Sequence, residues 1–151
     1  MSLRDQLNED LKTAMRAKDS ARLTVIRGIK AAILAAETRS ERITLDDDGI
    51  MQVIVKEVKE RRDALPDFER GGRQDLVDKL THEVELLAQY LPKPLTESEI
   101  EALVAEAVVA VGASGPQDMG KVMGWLSPKT RGRADGRRVS ELVKFRLTNV
   151  P

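Results

Sequence analysis

The sequence predicts an all-α protein: an N-terminal four-helix domain over residues 1–91, a linker at 92–95, and a smaller three-helix C-terminal domain over 96–151. Three observations lead there. Apolar residues recur at helical spacing along most of the chain, and strand-period alternation is missing. Apolar residues make up 41% of the chain but aromatics only 3%. Val, Leu, Ile, Ala and Met must therefore fill the interior, which suits helix-on-helix packing better than a β-sandwich. Finally, Pro92 and Pro94 bracket Lys93; two prolines so close cannot continue a helix, and they hold the chain extended.

Each helix has its own signals. Leu3, Leu7, Leu11 and Met15 form the first stripe, with Ser2 available as N-cap. Arg16–Asp19 breaks it, and Asp19 or Ser20 can cap a second helix carrying Leu23, Ile26, Ile29 and Ile33. After a polar connection at Thr38–Arg42, Thr44-x-x-Asp47 has the form of a capping box ahead of Ile50, Ile54, Val58 and Leu65. Asp46–Asp48 falls where a helix's first turn favours negative charge. Pro66 is expected to kink or end that helix, with Gly71-Gly72 as a firm stop. The fourth runs through Leu76, Leu80, Val84, Leu87 and Leu91.

Past the prolines, Thr96-x-x-Glu99 is a second capping box, opening a helix with Ile100, Leu103, Val104, Ala107, Val108 and Val111 inward and Gly112 to Gly115 at its end. Pro116 suits the first turn of a short helix around Met119–Leu126, which Ser127-Pro128 is expected to end. Asp135-Gly136 opens the last helix, striped by Val139, Leu142, Val143 and Leu147. A three-helix unit of this length buries little surface, so the C-terminal half is expected to be the less stable one.

Enzymatic signals are weak. There is no cysteine, hence no disulfide, thiolate metal site or cysteine nucleophile. The one histidine, His82, falls between core positions and points away from them, with no nucleophile marked beside it. Asp46–Asp48 is better read as cap and dipole partners than as a metal site. No phosphate-binding loop or dinucleotide fingerprint is present. No cofactor, metal or catalytic residue is therefore assigned. Without a run long enough to span a bilayer or a secretion signal, the expectation is a cytoplasmic protein making no membrane contact.

The chain as a whole is neutral, with 25 basic and 25 acidic residues, which argues against coating nucleic acid over the entire surface. The C-terminal stretch differs. From Gly120 onward it carries Lys121, Lys129, Arg131, Arg133, Arg137, Arg138, Lys144 and Arg146 against Asp135 and Glu141. A local basic patch usually meets an anion, and nucleic acids are the largest common ones. Lys129, Arg131 and Arg133 alternate with the small Thr130, Gly132 and Ala134, while Arg137 and Arg138 sit in the first turn of the last helix. An anion docking there would relieve the repulsion between arginines and dipole. The candidate nucleic-acid-binding residues are thus Lys121, Lys129, Arg131, Arg133, Arg137 and Arg138. Gly120 and Gly124, four apart, suggest close helix packing, and Trp125 a core or interface position.

The stretch MGKVMGWLSPKTRGRADGRRVSELV resembles the C-terminal tail domain of the GatB subunit of tRNA-dependent amidotransferases. With LNEDLKTAMRAKDSARLTVIRGIKAAI near its start and QYLPKPLTESEI in its middle, the chain from about Leu3 to Leu147 resembles the free-standing GatB/YqeY-like proteins. The resemblance implies an all-helical, non-catalytic protein whose C-terminal half contacts tRNA, or binds an aminoacyl-tRNA synthetase or amidotransferase component. It also suggests a carbon–nitrogen ligase label with glutamine as amido donor, but the chain shows no counterpart to those catalytic domains. The competing expectation is a protein–protein adaptor without RNA contact, docking through an apolar groove between the two halves whose surface includes Met119, Met123 and Trp125.

Overall fold

A computed structural model describes residues 1–149; Val150 and Pro151, the end of the expected C-terminal domain, lie outside the described residues. Among the described residues there are seven α-helices and no strand: α1 (Leu3–Ala17), α2 (Ser20–Glu37), α3 (Asp47–Arg70), α4 (Gln74–Ala88), α5 (Glu97–Val111), α6 (Met119–Thr130) and α7 (Gly136–Thr148), with a 3-10 turn at Pro116–Asp118 before α6. The chain divides into two compact units, Met1–Leu91 and Pro92–Pro151.

In the first unit α1 pairs with α2 and α3 with α4, and α2 also touches both α3 and α4. Leu7, Ile26, Ile29, Ile50, Ile54 and Leu87 are essentially inaccessible and form its core. Side chains cap three of the four helix starts: Ser2 accepts the Asp5 N–H at 3.1 Å, Asp19 that of Arg22 at 3.1 Å, and Asp46 that of Gly49 at 2.9 Å. The N-cap of α3 is therefore Asp46 rather than Thr44, which corrects the expected capping box. Pro66 does not end α3, which continues to Arg70. The proline side chain is exposed, so the carbonyl four residues earlier, which it cannot bond, is lost on the solvent side where water can replace the partner.

The second unit packs α5, α6 and α7 mutually. Its core holds Ile100, Val104, Ala107, Val122, Leu126, Val139, Val143 and Leu147. Both halves of the Thr96/Glu99 capping box are present. α5 ends at Gly112, whose φ of 64° is left-handed, a conformation glycine adopts without a side-chain clash. Pro128 also fails to stop its helix: α6 runs on to Thr130 with the proline exposed in its last turn. Residues 92–95, expected to be linker, are hydrogen-bonded into this unit: the Leu95 N–H donates to the Arg133 carbonyl at 2.8 Å, and Arg133 Nε to the Lys93 carbonyl at 3.1 Å.

Candidate nucleic-acid interface

The basic residues of the second unit come from the exposed side of α6, the 131–135 turn and α7. α6 buries Val122, Leu126 and Thr130 and leaves Gly120, Lys121, Gly124, Pro128 and Lys129 on its outer side. Around that exposed arc the order is Gly120, Gly124, Pro128, Lys121, Trp125 and Lys129, as helical geometry requires at 100° per residue. A Cβ built on either Gly120 or Gly124 meets nothing within 4 Å. The expectation that these glycines serve close helix packing is therefore corrected, because within the described residues no neighbour approaches them.

The six candidate cations divide by what they touch. Lys121 is exposed, with Asp118 Oδ1 3.9 Å from its ammonium. The Lys129 ammonium stands over the Trp125 ring, 4.2 Å from its centroid, an electrostatic contact with the face of the π-system. Arg131 is exposed and follows the last residue of α6 in an extended conformation. Arg137 is exposed, and its backbone N–H donates to Asp135 Oδ1 at 3.1 Å.

The other two are committed inside the unit. Arg133 is only half exposed and holds the Lys93 carbonyl. Arg138 donates to Glu97 through Nε at 2.8 Å and through a second nitrogen, and to Glu141 at 3.1 Å. Its hydrogen bonds to Glu97, then Glu141, raise the Arg138 pKa above its ordinary value, while the Arg138 guanidinium holds the Glu97 carboxyl below its own. This joins the N-terminal turns of α5 and α7. Two cations that a charge count includes, Lys144 and Arg146, lie on the exposed side of α7 beside the exposed Phe145.

Asp118 is a positioning residue for this face. The Ser114 N–H donates to it at 2.9 Å, and that bond, with Lys121 nearby, holds its carboxyl below the ordinary range. Of the adaptor residues, Met119 and Met123 pack partly buried against the core of this unit. Trp125 is likewise partly buried, and borders a shallow apolar shelf of Ala105, Val109 and Ala110, in which Val109 is 81% exposed. Within the Asp46–Asp48 run, Asp46 caps α3, and Asp47 accepts the Leu3 N–H at 3.0 Å.

Comparison with known proteins places this arrangement in a family. The chain is similar to proteins named "Altered inheritance of mitochondria protein 41, mitochondrial". That of Pyrenophora tritici-repentis is 34% identical, over 92% of this chain and 77% of the relative. That of Kluyveromyces lactis is 34% identical over 82% and 69% respectively, and that of Lachancea thermotolerans 31% identical over 91% and 76%. These relatives are named as mitochondrial proteins, which overturns the expectation of a general cytoplasmic location. The family pattern described as Yqey-like protein matches residues 4–147. With the match spanning both units and every helix, the chain belongs to the YqeY-like family, the GatB/YqeY type of domain.

Proposed function

We propose that the C-terminal unit binds a folded RNA, tRNA in the first instance, through the outer side of α6 and the exposed basic residues around it, and that the protein performs no covalent chemistry of its own. The observation that carries this reading is the exposed stripe of Gly120 and Gly124, with the exposed Lys121 beside it on the same helix. Glycine inside a helix costs about 1 kcal/mol relative to alanine, and neither glycine is needed for packing within the described residues. A side-chain-free strip beside Lys121 lets a sugar–phosphate backbone approach the helix closely. Pro128 cannot donate to the carbonyl of Gly124 four residues earlier, so that oxygen lacks its regular helical partner. A 2′-hydroxyl is a donor that RNA has and DNA lacks. The tRNA assignment comes from the likeness to the GatB tail.

Titration of the purified protein with bulk tRNA and with duplex DNA at two salt concentrations tests this. The expected result is a preference for tRNA and a steep salt dependence. Gly124→Ala should stabilise α6 by up to about 1 kcal/mol and yet weaken tRNA binding. Those opposite signs separate a contact surface from a structural position. Affinity for tRNA no greater than for duplex DNA, and unmoved by Gly124→Ala, would remove the interface.

The protein-adaptor reading is favoured by a different observation, the exposed shelf of Val109, Ala105 and Ala110 beside Trp125. Its partner would be a tRNA-handling enzyme such as an aminoacyl-tRNA synthetase or amidotransferase component. Val109→Lys should abolish such a complex while leaving tRNA affinity unchanged or slightly raised.

A further inference from the structure

The first unit carries a pocket that the RNA reading does not use. It lies along the α1–α2 pair, lined by Arg4, Leu7 and Asn8 from α1 and by Lys30, Leu34 and Glu37 among the residues of α2, with a volume of about 420 Å³. That is within the range of small-molecule sites, roughly 300–1,000 Å³. Leu7 is fully buried at its floor, whereas Leu34, 58% exposed, leaves an apolar rim open. At one end the charges cancel: Arg4 donates to Glu37 at 2.6 Å. Farther along they do not. The half-buried Lys30 ammonium donates to the neutral Asn8 Oδ1, and among the described residues no carboxylate pairs with it.

A partly desolvated ammonium beside an apolar floor favours a counter-anion. The Asn8 amide supplies a second donor group next to it, since its NH2 has no partner among the described contacts. Ammonium and amide together suit the two oxygens of a carboxylate, and the leucines suit an apolar body attached to it. We infer that the α1–α2 pocket is a binding site for a small organic monocarboxylate with an apolar tail, gripped by Lys30 and Asn8. This site is independent of the basic face of the second unit.

The test is a titration of the isotope-labelled full chain with hexanoate, followed by amide NMR, with hexan-1-ol as the uncharged control. Saturable shifts in the millimolar range at Leu7, Asn8, Ala31 and Leu34 are expected, with hexanol at least about tenfold weaker because the charged hydrogen bond is missing. Lys30→Met should weaken hexanoate to the same degree. Asn8→Asp gives Lys30 an internal counter-ion without changing the side-chain size, and should abolish binding while the fold is kept. Equal affinity for acid and alcohol, no saturation in the native protein, or undiminished hexanoate binding by Asn8→Asp would overturn the site. The aspartate variant carries the test if Lys30→Met does not fold.

Discussion

Glu37 is a residue whose role the sequence conceals. It sits at the C-terminal end of α2, where a negative charge opposes the helix dipole, and its side chain is only 12% exposed. Two donors hold it there, the Leu45 N–H at 2.8 Å and Arg4 at 2.6 Å, so it ties α1 to the connection that leads into α3. The Leu45 N–H first, and then Arg4, lower its pKa below the ordinary 4.5 against the opposing effect of burial. A depressed carboxyl favours the fold wherever it is ionised, so this contribution is complete above about pH 4.5 and is lost as pH falls through the folded value. Glu37→Gln should therefore destabilise the first unit at neutral pH, and the gap between variant and native melting temperatures should close on acidification. A gap that persists unchanged at acidic pH would locate the role in shape rather than charge. Spacing rules do not reach such a residue, because its partners lie eight and thirty-three positions away. The same holds in the basic patch. The abundance of cations was legible, but the loss of Arg138 to Glu97, forty-one residues earlier, and of Arg133 to the Lys93 carbonyl was not. Lys129→Ala should flatten the logarithmic salt dependence of tRNA binding by about one unit with little change in melting temperature. Arg138→Ala should lower the melting temperature first.

At the level of elements, the apolar periodicity located every helix, because it is local and α-helices are built from local contacts. The ends preceding proline were misjudged. Pro128 was expected to stop α6, and Pro66 to kink or end α3; both helices continue through them, α3 to the stop expected at Gly71-Gly72. Each proline lies on an exposed side, where a missing backbone bond costs less than it would in a packed interior. Which side of a helix faces solvent depends on tertiary packing, so the sequence rule lacked that information. Pro66→Ala should restore the missing bond and raise stability, by about 1–3 kcal/mol less the entropy that proline removes from the unfolded chain. Equilibrium denaturation checks this, and a destabilised variant would mean that the ring fits a geometry alanine cannot hold.

For the molecule as a whole, two separate clusters of buried residues, one for each unit, replace a single core. Ile54→Ala and Leu126→Ala each remove buried atoms from one of them, and each should cost about 2–5 kcal/mol. With hydrogen exchange measured on the full chain, the first substitution should speed opening in residues 1–91 and the second in 92–149. Uniform acceleration in both cases would mean that the chain unfolds as one cooperative block. The smaller second unit should open at the lower free energy in the native protein.

Tyr90 closes the first unit, its hydroxyl donating to Asp10, and burial followed by that carboxylate raises its pKa well above the ordinary 10. It is the only tyrosine, and Trp125 in the second unit is the only tryptophan. Each unit is thus labelled with one chromophore of a different kind. In an alkaline titration the phenolate absorbance should stay silent past pH 10 and emerge when the first unit unfolds. Indole emission reports the second unit independently, so the native sequence can follow both halves optically without an added dye.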